Sequence, residues 1–170
     1  MTESDLNNYI RNSLSWGYKI PDPPQSAVHV SAKRPFDGFG VLTPDPKQTS
    51  GLPVYWEAKL LKGFQALPFD RVAEHQFKAL KQIKDIMSTQ VAALILVGIY
   101  IPYQGVQLFS FDIDCFESLK FHATGKSIAK VQFQELFASD WHLTSHKERF
   151  NFVGELLTKT MTTENCPLNR

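Results

Sequence analysis

The sequence predicts an α/β fold in which a mixed central β-sheet is flanked by helices within a single domain over residues 1–170. The chain is 43% hydrophobic and 21% charged, which is the ordinary composition of a globular domain. Stretches typical of strands alternate with stretches whose apolar residues recur at helical spacing. The longest apolar run, VAALILVGIYI over 91–101, suits a buried strand and is well short of the ~20 residues of a membrane-spanning helix.

The first half of the chain predicts one helix followed by strands. In residues 3–15 the apolar side chains recur at helical spacing, and Gly17 is expected to end the helix. The segment PDPKQTSG at 44–51 has the composition of a turn, so the strands on either side of it should form a long-looped hairpin. The strands predicted in this half cover residues 27–32, 34–43 and 53–61.

The second half predicts a long helix, two strands and further helices. After Pro68 the apolar residues of 69–87 fall on one helical stripe, and Asp70 is placed to cap the start. The strand that follows is apolar on both faces and is therefore expected near the centre of the sheet. Residues 160–170 are expected to fray. The remaining predicted elements are strands over 91–100 and 105–112, short helices over 113–119 and 129–137, and a helix over 145–161.

Charge and cysteine content restrict the functional class only weakly. A formal net charge of +1 lacks the strong basic excess typical of nucleic-acid-binding proteins. Between Glu57 and Lys84, six basic residues against three acidic ones predict either a phosphate-facing patch or a solvated helix face. Cys115 and Cys166 lack the spacing of a metal site, which favours a reducing compartment. With no recognisable signal sequence or membrane segment, we expect the protein in the cytoplasm without a membrane partner.

The predicted strand PVYWEAKLL contains a carboxylate and an ammonium group among apolar residues. Because side chains alternate between the two faces of a strand, Glu57 and Lys59 share one face while Trp56 and Ala58 share the other. The Trp56 face is expected to be core. The two charges next to apolar neighbours are costly to desolvate unless a metal ion or a phosphate compensates them. The alternative for Glu57 and Lys59 on their own is a loose ion pair at the surface.

The predicted hairpin brings a second carboxylate to this strand. Its symmetric register sets Asp37 opposite Glu57 or a neighbour, with side chains ~5 Å apart where they share a face. Two carboxylates that close repel each other unless one is protonated or a cation lies between them, and such oxygen ligands suit Mg²⁺. Gly38 and Gly40 follow Asp37 and predict either room for a large ligand near the backbone or a β-bulge.

Two polar residues of the predicted long helix are further candidates for this site. Gln76 lies on the apolar stripe and should point toward the sheet, where its amide either lines the carboxylate site or bonds a backbone group in the core. His75 lies at the edge of the stripe and is either a phosphate contact or an exposed surface histidine. The sequence leaves both pairs of alternatives open.

Several motifs, in chain order, carry a resemblance to a known family. They are KRPFDGFGV with Lys33 and Asp37, WEAKLLKGF with Glu57, Ala58 and Lys59, the pair His75 and Gln76 opening a helix, and ATGKSIAK with Lys126. Together they resemble the PD-(D/E)xK nuclease superfamily, and most closely the RecU-type Holliday-junction resolvases. ESDLN also resembles the first helix of that family, which makes Glu3 the counterpart of its outlying carboxylate. The resemblance covers residues 3–137.

The resemblance implies a restriction-endonuclease-like core and a Mg²⁺-dependent, structure-specific DNA endonuclease that resolves four-way (Holliday) junctions by phosphodiester hydrolysis. The resemblance also implies that Mn²⁺ can substitute for Mg²⁺. The implied partners are branched DNA and a second copy of the chain, since symmetrical cutting needs two active sites, in a bacterial or phage-infected cell. The residues implied are Asp37, Glu57, Lys59 and Gln76 for catalysis, Asp37, Glu57, the Ala58 carbonyl and Glu3 for the metal, and Lys33, Arg34, His75 and Lys126 for DNA.

One feature of the family is shortened in this chain. RecU-type resolvases carry a long stalk before the motif aspartate that helps to hold branched DNA, and only GYKIPDPPQSAVHVSA stands in that place. Two alternatives therefore stay open. One is another PD-(D/E)xK nuclease, such as a nickase, flap nuclease or restriction-like enzyme, without junction specificity. The other is a non-catalytic DNA-binding protein on the same fold.

Overall fold

The computed structural model describes residues 1–21, 33–43, 50–123, 125–143, 155–156 and 158–169. Over these residues the protein is a mixed β-sheet with helices on both faces, which confirms the predicted α/β class. None of the helices in these ranges is long and apolar enough to cross a bilayer. The strands are β1 (Trp16–Lys19), β2 (Gly38–Leu42), β3 (Leu52–Lys62), β4 (Leu67–Pro68), β5 (Ala92–Ile101), β6 (Gly105–Asp112) and β7 (Ser127–Ile128), and the helices are α1 (Glu3–Ser13), α2 (Glu74–Met87), α3 (Ile113–His122) and α4 (Lys130–Ala138).

In the described part of the chain, five strands form the main sheet in the order β1, β2, β3, β5, β6. The central pair β3 and β5 is parallel, and the other neighbours are antiparallel, so the sheet is mixed as the sequence predicted. A parallel pair needs a crossover connection, and α2 lies in the segment that joins β3 to β5. Strand β5 is an interior strand, in agreement with its apolar sequence. The short strands β4 and β7 pair separately.

The edge strand β1 corrects the sequence prediction. We expected Gly17 to end the first helix, but α1 already ends at Ser13 and Gly17 lies inside β1. A Cβ atom on Gly17 would lie 2.9 Å from the Arg11 carbonyl oxygen, so the close approach of α1 requires glycine here. The strand expected over 27–32 lies outside the described residues, and the strand expected over 34–43 is limited to β2.

Both faces of the sheet are buried. On one face α1 contributes Leu6 and Ile10, which pack with Trp56. On the other face α2, α3 and α4 supply residues such as Phe77 and Phe116. The expectation that only the Trp56 face of β3 is core was therefore incomplete. Because the opposite face is also covered, charged residues on it are removed from water.

The long predicted helix begins later than expected. Residues 69–71 form a short 3-10 turn, and α2 begins at Glu74. Asp70 is exposed in this turn and does not cap α2, which corrects the prediction. The Ala73 N–H instead donates to the side-chain oxygen of Gln76 at 3.2 Å. The first turn of α2 is therefore closed by Gln76, in the manner of the second half of a capping box.

The C-terminal residues pack against the sheet. The two short helices expected before them correspond to α3 and α4. The helix expected over 145–161 lies largely outside the described residues. At the end of that range Met161 is fully buried and forms an isolated parallel β-bridge with Phe111 of β6. Cys166 is also buried. The described part of 160–170 is thus anchored to the core at these two residues, and the expectation that it frays was wrong there.

Candidate active site

The two predicted carboxylates, Asp37 and Glu57, lie near each other at the start of β2, where the pairing of β2 with β3 begins. Gly38, the first residue of β2, pairs with Trp56. The N–H of the preceding residue, Asp37, donates to the Trp56 carbonyl at 3.0 Å, so two residues of one strand oppose one of the other, as in a β-bulge. The Asp37 carboxylate accepts from the Ala58 N–H at 2.8 Å. Asp37 therefore bonds both sequence neighbours of Glu57, in agreement with the register expected from the hairpin.

The glycines after Asp37 are required by packing within the protein. A Cβ atom on Gly38 would lie 2.3 Å from the Trp56 ring. One on Gly40 would lie 2.4 Å from the carbonyl oxygen of Trp16 in β1. These neighbours already occupy the space, so the prediction of room for a ligand at the two glycines was wrong, and the alternative of a bulge fits.

Asp37 is buried and contacts three polar partners. Its Oδ2 accepts from the Ala58 N–H and from the side-chain amide of Asn7, the latter at 3.0 Å, and its Oδ1 forms an ion pair with Arg34. The residue is only 2% exposed, so these groups replace the water that an exposed carboxylate would bind. Oδ2 thus accepts two hydrogen bonds that fix the Asp37 side chain relative to α1 and β3, whereas the buried Oδ1 has the Arg34 ion pair but no hydrogen bond from the described residues.

Asn7 of α1 positions Asp37, and our sequence analysis missed it. Its Nδ2 donates to Asp37 and, at 3.2 Å, to the Glu3 carbonyl, while its Oδ1 accepts from the indole N–H of Trp56 at 2.8 Å. The residue is 3% exposed. The available signal was a polar residue that falls on the apolar stripe of α1, three positions before Ile10. A buried amide at such a position needs several partners, and here it joins α1 to both strands.

Glu57 is fully buried beside Lys59. The Lys59 Nζ donates to Glu57 Oε1 at 2.6 Å, whereas Glu57 Oε2 is buried and has no hydrogen-bond partner among the described residues. Burial raises the pKa of the Glu57 carboxyl to about 7; the Asp37 charge acts in the same direction, and Lys59 opposes it. Burial therefore favours the protonated form of this carboxyl group. A cation that approached Oε2 would displace the proton and compensate the buried charge.

Glu3 has partners of its own at the border of this site. Its Oε1 lies 2.8 Å from the Arg71 guanidinium and accepts from the Leu60 N–H at 3.3 Å. Within the described residues, no group of three or more acidic, histidine or cysteine side chains is arranged to hold a metal ion. The structure therefore brings Asp37 and Glu57 together but does not assemble Glu3 with them as a third ligand.

Of the two helix residues expected near the site, Gln76 follows one of its two predicted alternatives, whereas His75 is only partly exposed and contacts a backbone carbonyl, so it is not the exposed surface histidine that was one of its alternatives. Gln76 is buried and uses its side-chain oxygen on the Ala73 N–H, which is the backbone-bonding alternative rather than the site-lining one. His75 Nε2 lies 3.1 Å from the Arg34 carbonyl oxygen, and because a carbonyl only accepts, this nitrogen carries the proton. His75 therefore joins the start of α2 to the segment that carries Asp37.

The expected DNA contacts occupy different environments. Lys33 and Lys126 are exposed. The Arg34 side chain is only 19% exposed because it faces Asp37. Lys126 lies beside an open surface depression of about 390 Å³ next to the start of α2. The lining of this depression comprises Phe69, Asp70, Val72, Glu74, Lys120, Gly125 and Lys126.

Part of the local basic excess predicted from the sequence is neutralised by ion pairs. Lys81 of α2 forms ion pairs with Asp114 and Glu117 of α3 and with Asp85 of its own helix. These four residues are named the Lys81 cluster below. Their pairing supports a solvated helix face, rather than a phosphate-facing patch, on this side of α2.

Comparison with known proteins supplies no relative. No protein-family model matches the chain, and no curated protein matches it at a significant level.

Proposed function

We propose that this chain is a Mg²⁺-dependent DNA endonuclease with a restriction-endonuclease-like core, and that it cuts four-way junctions or related branched DNA. The observation that carries the proposal is the buried Oε2 of Glu57, which has no hydrogen-bond partner among the described residues and belongs to a carboxyl group next to Asp37. Such an oxygen is stable when it is protonated or when a cation binds it. Cation binding makes Asp37 and Glu57 a metal site.

The residues present fit Mg²⁺. The site has two carboxylates, and in a β-strand the carbonyl of Ala58 points to the same side as its N–H, which faces Asp37. Mg²⁺ prefers oxygen ligands, keeps several waters, and is usually held by one or two carboxylates together with substrate phosphates. Two carboxylates therefore suffice, and Glu3 is not needed as a third ligand. Mn²⁺ accepts the same oxygen ligands and would substitute.

Lys59 and Arg34 supply the positive charge of the site. Lys59 is 8% exposed and its ammonium contacts Glu57, so it is available to stabilise negative charge that develops on a phosphate under attack. Arg34 is paired with Asp37 and is more exposed, so its guanidinium is accessible to a DNA phosphate. When bound, Mg²⁺ would act as a Lewis acid that lowers the pKa of a water and neutralises charge on the phosphate.

The residues proposed to contact DNA are Lys33, Arg34, His75 and Lys126. Lys33 directly precedes Arg34, and both are close in sequence to Asp37. His75 contacts the Arg34 carbonyl. Lys126 lies further away, at the depression beside α2. Contacts of these types fix the position of the DNA backbone without reading its sequence, as expected for an enzyme that recognises DNA shape. Symmetrical cutting of a junction would require a homodimer with two such centres.

A second candidate is a non-catalytic DNA-binding protein. The observation that favours it is the pairing of each buried carboxylate with an internal cation, Asp37 with Arg34 and Glu57 with Lys59. Two cations facing two carboxylates balance the charge without a metal ion. The experiment that tests the nuclease proposal also separates it from this candidate.

We would compare cleavage of a labelled four-way junction, a flap and a linear duplex, each with Mg²⁺ and with chelator, by the wild type and by Asp37→Asn. The variant is expected to lower the cleavage rate by at least about a hundredfold, because it removes a metal ligand. DNA binding in chelator should persist or strengthen, since one carboxylate near the phosphates is lost. Asp85→Asn is the matched control, because it removes the same charge at an exposed position of the Lys81 cluster and should leave cleavage unchanged.

Each substrate pattern has a defined meaning. Paired symmetrical nicks on the junction alone, lost in Asp37→Asn, would support a resolvase. Cutting of all three substrates would retain the nuclease and remove the junction specificity. Cleavage by Asp37→Asn at the wild-type rate would refute the site, and no cleavage of any substrate by the wild type would favour the binding protein.

A further inference from the structure

The sheet face that carries Glu57 continues toward β1 as a row of aromatic side chains. Tyr18 pairs with Phe39, Phe39 pairs with Tyr55, and directly paired residues point to the same face. Side chains two positions apart on a strand also share a face, which adds Trp16 beside Tyr18 and Glu57 beside Tyr55. Trp16, Tyr18, Phe39 and Tyr55, named here the aromatic strip, therefore lie on the face of the candidate active site.

The rings of the strip are in contact from the sheet edge inward. Phe39 lies 5.7 and 5.6 Å from the two β1 rings, measured between ring centroids, and 6.1 Å from Tyr55. Tyr55 in turn meets Phe36 edge-on at 5.5 Å. A continuous series of ring contacts therefore runs from Trp16 and Tyr18 in β1 to the buried Phe36, which directly precedes the proposed metal ligand Asp37.

The outer end of the strip is exposed. Trp16 is 54% exposed and Tyr18 is 47% exposed, on a strand whose pairing partner among the described residues is β2 alone. Adjacent large apolar side chains at the surface mark interaction sites, whereas single ones are ordinary. Tyr103, in the turn between β5 and β6, is an exposed aromatic residue at the other end of the sheet.

The charges near the strip favour an anionic partner. The Arg34 guanidinium lies 3.5 Å from the carbonyl oxygen of Ile20, two residues after Tyr18, and Lys33 precedes Arg34 in the chain. The acidic residue of the described segment 33–43, Asp37, is buried and paired with Arg34. Rings that are exposed among cationic groups are the usual surface for unpaired nucleotides, because bases stack on the rings while phosphates contact the cations.

We propose that the aromatic strip binds unpaired nucleotides by base stacking and directs that strand toward Asp37 and Glu57. This inference rests on the proposed nuclease function and names the part of the substrate next to the cut. Base pairs of an intact duplex stay stacked on each other and present no free π-face to Trp16 or Tyr18. The strip therefore selects DNA that has unpaired or opened nucleotides beside the scissile phosphate, as at a junction or a flap.

The test is a titration with a short thymidine homopolymer in chelator, followed by tryptophan emission and by anisotropy of the labelled DNA. Of the three tryptophans, Trp16 is exposed, Trp141 is partly buried against the core and Trp56 is fully buried, so stacking on the strip should quench mainly the emission of Trp16. Trp16→Ala and Tyr18→Ala are each expected to weaken binding about tenfold. Trp16→Phe keeps a ring and should retain most of the affinity while the quench disappears.

Tyr103→Ala is the control, since it removes an aromatic ring that is more exposed than those of Trp16 and Tyr18 and lies in the turn between β5 and β6. It should bind the homopolymer as the wild type does. Unchanged affinity of Trp16→Ala, or an equal loss for linear duplex and homopolymer, would overturn the proposal. Conversion of a dimer into a monomer by Trp16→Ala, with unchanged DNA affinity, would assign the strip to a subunit contact instead.

The two proposals fail separately. If the homopolymer quenches Trp16 but no DNA is cut in Mg²⁺, the nuclease proposal fails and the strip remains a surface for single strands. If DNA is cut but the Trp16 and Tyr18 variants bind the homopolymer like the wild type, the strip proposal fails and the nuclease remains.

Discussion

Two charged regions of this protein use the same residue types in different surroundings. In the Lys81 cluster, three carboxylates surround one partly exposed lysine at the surface between α2 and α3. In the candidate active site, Glu57 and Lys59 are buried next to Asp37, and one Glu57 oxygen has no hydrogen-bond partner among the described residues. A hydrogen bond from Lys81 to Asp114 raises the pKa of that lysine, whereas burial raises the pKa of Glu57. The surface charges are satisfied by each other and by water, whereas burial removes water from the Glu57 carboxyl group without supplying a hydrogen bond to its Oε2 from the described residues.

The largest effect on unfolding free energy is expected from Glu57→Gln. The pKa of Glu57 is about 7 in the folded protein, above the ordinary value of 4.5, so the folded state holds this proton more tightly than the unfolded state. Stability from this group is present at low pH and is lost as the pH rises toward 7. Between about pH 5 and about pH 8 the wild type should lose roughly 2 to 3 kcal/mol of unfolding free energy that the variant, which cannot titrate, retains.

Urea unfolding of both proteins at the two pH values, in chelator, measures this difference. Adding Mg²⁺ at the higher pH should restore stability to the wild type and have little effect on Glu57→Gln, because only the wild type binds the ion. If the unfolding free energies of the two proteins depended on pH in the same way, the pKa of Glu57 would not be raised by folding. The contrast between the buried site and the Lys81 cluster would then be refuted.

A smaller effect is expected from Asn7→Ala. The substitution removes a donor from buried Asp37 and leaves the indole N–H of Trp56 without its acceptor, at a cost of about 2 kcal/mol. Asn12→Ala is the control, because it changes the same residue type near the exposed end of α1 and should cost less than about 0.5 kcal/mol. Thermal unfolding at one pH compares them, and equal losses would contradict the positioning role of Asn7.

The smallest effect is expected from Lys81→Met. The Lys81 cluster is at the surface, so its loss should cost less than about 1 kcal/mol, and the cost should fall as salt is added. Urea unfolding of wild type and variant at low and high salt measures both quantities. A loss as large as that of Asn7→Ala, unchanged by salt, would show that the cluster behaves like the buried site.

Much of the site could be predicted because its main residues are close in sequence. Alternation along one strand placed Glu57 with Lys59, and hairpin register placed Asp37 beside them. Asn7 was missed because its partners, Asp37 and Trp56, are 30 and 49 residues away, and nothing local specifies them. Glu3 was assigned by resemblance, and its pairing with Arg71, 68 residues away, is a long-range contact of the same kind.

The sequence by itself determined the α/β class, the mixed sheet, the β2–β3 hairpin and the meeting of Asp37 with Glu57. These features follow from periodicity and turn composition, which act over a few residues. Only the tertiary structure decided that β1 joins the sheet edge with Trp16 exposed, that α2 begins at Glu74, and that both faces of β3 are covered. Burial depends on which distant elements pack together. It is this burial that leaves Glu57 Oε2 without a partner among the described residues and raises the pKa of the Glu57 carboxyl to about 7.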